Sequence, residues 1–167
     1  SRGELSAEDI EVVKATFVLE KAELDHAPEK IKGQPLSYTF TRDLDNSWRD
    51  RLIGVATPYL KDIKNDLLRL AAHLDRDIAE GSSKARTEAL NKLINNVSQF
   101  RYLWSVAETL KPWLDEMLPY VDEENEKEVA RWESIVTALD DDVEINKFRL
   151  HLHKNRPVFV LYSNYFR

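Results

Sequence analysis

Residues Ser83–Leu118 read SKARTEALNKLINNVSQFRYLWSVAETLKPWLDEML, and the reading of this stretch decides how the rest of the chain is organised. Its apolar residues fall at Leu90, Leu93, Ile94, Val97, Phe100, Leu103, Trp104, Ala107, Leu110, Leu114 and Met117. Steps of three and four place these on one stripe of an α-helix. Ser83 is positioned to cap the start, and Lys84, Arg86, Glu88 and Lys92 lie off the stripe. Pro112 removes a backbone donor and crowds the turn before it, yet the stripe passes through it in phase. The spacing predicts helix from about 84 to 119, kinked or split into two stacked pieces, and roughly 50 Å long if continuous. Burying so wide a stripe needs several partners from elsewhere in the chain.

Upstream, Ser47 is placed to cap a second long helix, about 48–80, with Leu52, Val55, Leu60, Ile63, Leu67, Leu70, Leu74 and Ile78 on one face. Gly54 and Pro58 sit inside that pattern and read as a kink. Gly81-Ser82-Ser83 then forms a linker so short that the two long helices are expected antiparallel and adjacent. Ser6 followed by Asp9 is an N-cap signal, and Ile10, Val13, Phe17 and Leu24 predict a first helix, about 7–26. Between these helices, residues 27–46 hold two prolines and a glycine around a β-prone run, Leu36–Phe40.

Downstream, Asp122 is expected to cap a helix at about 123–140, with Glu123, Glu124 and Glu126 at its positive end and Val129, Trp132, Ile135, Val136 and Leu139 on its buried face. Phe148, Leu150 and Leu152 then alternate with Arg149, His151 and His153, the period of a half-buried strand. Lys154-Asn155-Arg156 supplies a turn and Pro157–Tyr162 a returning strand, so a β-hairpin is expected at about 147–162. Leu36–Phe40 is available as a third strand of a small sheet. The fold expected is a single, mainly α domain over residues 1–167. It is an up-and-down four-helix bundle with long kinked central helices and a C-terminal β-hairpin.

Composition narrows the function classes. The 167 residues carry a formal net charge of −6, which disfavours general polyanion binding while leaving room for a local basic patch. There is no cysteine, hence no disulfide, thiolate zinc site or cysteine nucleophile. No apolar run has the length of a membrane span, and SRGELSAEDIEVV is too acidic and polar for a signal peptide. An intracellular protein, cytoplasmic or nuclear, without a membrane partner is the expectation.

Charge is unevenly distributed. Between Leu114 and Glu144 twelve acidic residues stand against Lys127 and Arg131, a net −10, whereas Ile145–Arg167 carries five basic residues and no acid. The basic end is either a contact surface for an acidic partner or a complement to the acidic helix beside it in sequence. Its candidate contact residues are Arg149, His151, His153, Lys154 and Arg156, joined by Tyr162, Tyr165 and Phe166. His151 and His153, two apart on a strand, point the same way and could share a metal, but two ligands do not make a site. No metal ligand set, cofactor or catalytic residue is therefore assigned. The chain holds no G-x-S-x-G, Gly-rich phosphate loop or H-E-x-x-H. Trp104 and Trp132 fall on the stripes and are expected in the core. Trp48 and Trp113 are the candidates for exposed anchors.

These features argue against an enzyme and for a non-catalytic protein–protein interaction or scaffold domain, part of a larger protein or complex. Its partner would be another protein or a second copy of itself. Nucleic-acid binding through the basic hairpin is the alternative, and a metal-dependent enzyme centred on His151 and His153 is a third reading.

Overall fold

The structure, a computed structural model, describes residues 10–76 and 84–156. Three strands come first: β1 (Glu11–Val18), β2 (Ser37–Asp43) and β3 (Trp48–Ile53), with a short helix α1 (Lys21–Leu24) between the first two. Four longer helices follow: α2 (Leu60–Leu74), α3 (Ala85–Ile94), α4 (Leu103–Met117) and α5 (Glu126–Asn155). This order corrects the expected four-helix bundle with a C-terminal hairpin. The sheet is N-terminal, and among the described residues there are five α-helices, four of them after the sheet.

The described residues divide into two compact units, one of 10–55 with 147–156 and one of 56–146, so α5 supplies residues to both. In the first unit the strands form an antiparallel sheet in the order β1-β2-β3. Thr39 pairs with Thr16 on one side and Arg51 on the other, and Phe40 with Ala15 and Asp50. Alternation then sends Thr16, Thr39 and Arg51 to one face of the sheet and Ala15, Phe40 and Asp50 to the other. Tyr38, Phe40 and Leu52 are buried, as are Leu36, Ile31, Phe148 and Leu152.

The region expected as the first helix, 7–26, holds strand β1 (Glu11–Val18), and only Lys21–Leu24 in it is helical. Ile10, Val13 and Phe17 match a helix, but Val12, Val13, Thr16 and Val18 are β-branched residues that fit a pleated surface better. The start of the expected 48–80 helix is likewise β3. Asp43–Ser47 is a hairpin turn: Asn46 takes the left-handed conformation, φ 70°. The Asp43 N–H donates to the Ser47 carbonyl at 3.0 Å, and the Ser47 N–H to Oδ1 of Asp45 at 2.8 Å. Ser47 therefore belongs to a turn and not to a helix cap. Gly54, expected as a kink, ends β3 at φ 97°, and a Cβ there would lie 2.7 Å from the Pro35 carbonyl oxygen. Only glycine fits this backbone.

The second unit is built on a core of Leu60, Leu67, Leu70, Ala71 and Leu74 from α2, Leu90 and Ile94 from α3, Leu103, Leu110, Trp113 and Leu114 from α4, and Ile135 and Leu139 from α5. The stripes read from the sequence thus supply the core, but the long 84–119 helix does not exist as one piece. It breaks at 95–102, around Asn95-Asn96 and Ser98, whose short polar side chains compete with helix for the backbone. Pro112 lies inside α4. Two buried acids close the exposed helix starts. Asp75 accepts the N–H groups of Arg86 and Thr87 at 3.0 Å each, and Asp142 accepts that of Trp104 at 2.7 Å. These are N-terminal donors with no partner inside α3 and α4. Ser83, the expected cap, lies outside the described residues.

α5 begins after Asn125, whose side chain accepts the Glu128 N–H, and continues to Asn155. The expected hairpin over 147–162 is helix from 147 to 155, and Pro157–Tyr162 lies outside the described residues. Phe148 and Leu152 are buried one helical turn apart, while Leu150 is 39% exposed. A strand would have placed all three on one face. Among the described residues no helix is long and apolar enough to cross a membrane.

Candidate functional site

The α5 residues singled out by the sequence separate once the segment is helical. Residues two apart on a helix point about 200° from one another. His153 faces Asp50, and His151 faces away, its ring 4.8 Å from that of His26. The premise of a shared metal, both rings on one face, is thereby removed. Among the described residues no group of three or more His, Asp or Glu side chains is set to hold a metal ion.

Asp50 is the centre of what these residues build in the first unit. Its side chain is 3% exposed, and Oδ2 accepts the Tyr38 hydroxyl at 2.7 Å. Arg149 donates to Oδ1. His153 Nδ1 stands 3.2 Å from the Tyr38 oxygen and 3.5 Å from Oδ2 of Asp50. With the phenol proton given to Asp50, hydrogen bonding to the Tyr38 oxygen requires the proton on Nδ1 of the imidazole. Trp48 packs against the same ring, centroids 3.9 Å apart, and the Arg156 guanidinium lies 4.4 Å above the Phe40 ring. Burial lowers the pKa of His153, the positive charges of Arg156 and Arg149 lower it further, and Asp50 opposes them. Burial and the bond to Asp50 push the Tyr38 phenol up. Lys154 is exposed. Tyr162, Tyr165 and Phe166 lie outside the described residues.

A different cluster forms in the second unit, where Tyr59 and Lys61 meet the segment Ser98–Ser105. Tyr59 and Tyr102 are bridged in antiparallel fashion. The N–H of Leu60 donates to the Arg101 carbonyl at 2.8 Å and that of Lys61 to the Gln99 carbonyl at 2.9 Å. Asp62 accepts the Tyr59 N–H at 2.8 Å and fixes the start of α2. On this pinned backbone Tyr59 and Tyr102 stack with centroids 5.3 Å apart, and Tyr102 and Trp104 with centroids 6.2 Å apart. The planes are inclined by 23° and 15°. The Lys61 ammonium lies 5.1 Å from the Phe100 centroid and 5.6 Å from that of Tyr59. A cleft of about 370 Å³ opens there, lined by Ser98, Phe100, Arg101, Tyr102, Trp104 and Ser105.

This aromatic platform is what the sequence reading missed. Phe100 and Trp104 were assigned to the stripe of a continuous helix. Trp104 is only half-buried, and Trp113, one of the two candidates for an exposed anchor, is 5% exposed within the core. The usable signal was the density of aromatic residues, Phe100, Tyr102 and Trp104, directly after the helix-breaking Asn95-Asn96 and Ser98. No family model, no curated protein and no solved structure matches the chain.

Proposed function

We propose that the chain is a non-catalytic interaction domain that holds a short segment of a partner protein on the platform of Tyr59, Phe100, Tyr102 and Trp104. One observation carries this reading: Phe100 is 58% and Tyr102 42% exposed although the backbone beneath them is tied on both sides. Exposed aromatic side chains on a fixed backbone offer large contact area and lose little rotamer freedom when a partner arrives. They are the residue types that anchor interfaces. The acid and base most suited to chemistry, Asp50 and His153, bond to Tyr38 and Arg149 of the fold itself.

Selection of short random peptides displayed on phage tests the reading. The full chain is compared with Phe100→Ala/Tyr102→Ala and with His151→Ala/Lys154→Glu, each checked by circular dichroism. Peptides recovered by the wild type should be retained by the α5 variant and weakened more than about tenfold in the platform variant. Equal binding to the platform variant, or loss confined to the α5 variant, would overturn it.

A further inference from the structure

Resting on that reading, we propose that the segment held on the platform is an extended polyproline-type stretch with an acidic residue beside its prolines. Backbone groups of Pro58–Lys61 and Gln99–Leu103 already bond to each other, through Leu60 to Arg101, Lys61 to Gln99 and Leu103 to Pro58. A partner strand adding to this backbone would find those donors and acceptors taken. A helix, about 10–12 Å across with its side chains, is also a poor occupant for a cleft of about 370 Å³ lined by six residues.

Recognition is thus left to ring surfaces and side-chain polar groups. Tyr59, Tyr102 and Trp104 stand in near-parallel succession, at spacings of 5.3 and 6.2 Å. That row is comparable in length to one turn of a polyproline helix, three residues and about 9 Å. The three rings stack on one another, so pyrrolidine rings pack along the exposed edges of the row. The polyproline conformation is largely formed before binding, so little ordering entropy opposes capture. Polyproline backbone makes no internal hydrogen bonds, and its carbonyls accept from side chains. The exposed Ser98 and Arg101, both at the cleft, supply donors.

Charge selects the flanking residue. Lys61 and Arg101 bring positive charge to the platform, and Arg101 is exposed at the cleft wall. Two cations on a chain of net charge −6 suit one carboxylate better than a run of phosphates.

The test is calorimetric titration of the full chain with four probes. One is a synthetic peptide repeating Pro-Pro-Glu-Pro, the second has alanine for each proline, the third has lysine for each glutamate, and the fourth is oligothymidylate. The proline–glutamate peptide should bind, and both altered peptides should bind more than about tenfold more weakly. Arg101→Glu should reverse the charge preference, improving the lysine peptide relative to the glutamate one. Equal affinity for the alanine peptide, or an unchanged charge preference in Arg101→Glu, would overturn the inference and leave the peptide-binding reading standing. No affinity for these peptides or for any phage-selected peptide would overturn both. So would binding of the oligonucleotide alone.

Discussion

Arg149, near the end of α5, places its guanidinium on Oδ1 of Asp50 in β3, a residue 99 positions earlier in the chain. Oδ2 of the same carboxylate holds the Tyr38 hydroxyl, so Asp50 ties α5 residues 147–155 to the sheet of their own unit. Removing one partner of a buried pair leaves the other uncompensated, at a cost of about 3 kcal/mol or more. Asp50→Ala and Arg149→Ala are each expected to lose about that much, measured by denaturant unfolding. The double variant should lose clearly less than the two together, because the second substitution removes a charge already stranded. Additive losses would mean that the two groups do not act as a pair.

Gly54 and Gly33 both have positive φ, 97° and 78°, but only Gly54 faces a close neighbour, Pro35 O at 2.7 Å from a built Cβ. Gly33→Ala meets only the conformational penalty, about 1 kcal/mol. Gly54→Ala adds a backbone clash and should lose clearly more by the same unfolding assay. Equal losses would place no constraint on the contact of Gly54 with the loop before β2.

His153 titrates below the ordinary imidazole value of about 6.5, chiefly because burial disfavours its charged form. The folded chain therefore binds fewer protons here than the unfolded one. Its contribution to stability is complete above about pH 6.5 and is lost as pH falls through the lower folded value. Stability of the wild type should drop between pH 7.5 and 5 with a component that His153→Gln lacks. Side-chain NMR should show the His153 ring titrating more acidically than an unstructured histidine. A higher value would contradict the assigned environment.

Asp75 joins the end of α2 to the start of α3 through the Arg86 and Thr87 N–H groups. Burial opposes its ionisation, but bonds from the Thr87 hydroxyl and these two N–H groups, with the charge of Arg86, hold the carboxyl below the usual range. Asp75→Ala should cost about 1–2 kcal/mol at neutral pH. The difference from wild type should persist down to about pH 4 and shrink as pH falls through the folded value. A difference that did not change with pH would assign the loss to packing instead.

What the sequence made legible was the helical core. Leu60, Leu67, Leu74, Leu90, Leu110, Leu114, Ile135 and Leu139 were read as buried faces and are buried. The failures lie where one pattern fits two periods. Phe148, Leu150 and Leu152 alternate like a strand, but Phe148 and Leu152 also stand four apart, and the longer register won. In β3, Trp48, Asp50 and Leu52 alternate with Arg49, Arg51 and Ile53, a strand pattern overlooked because Ser47 resembles a helix cap. The platform was hidden for a related reason. Phe100 and Trp104 fit the helical stripe, and only Asn95, Asn96 and Ser98 mark the place where the helix stops. Asp50 carried no local signal, since its partners Tyr38, Arg149 and His153 come from β2 and α5.

The central claim is that the partner sits on the platform, and an amide NMR titration of the full chain with the tightest phage-selected peptide tests it most directly. Shifts should concentrate at residues 59–62 and 98–105 and saturate together. The amides of Arg149–Asn155 should stay where they are. Shifts confined to Arg149–Asn155, with the platform amides unmoved, would contradict the account.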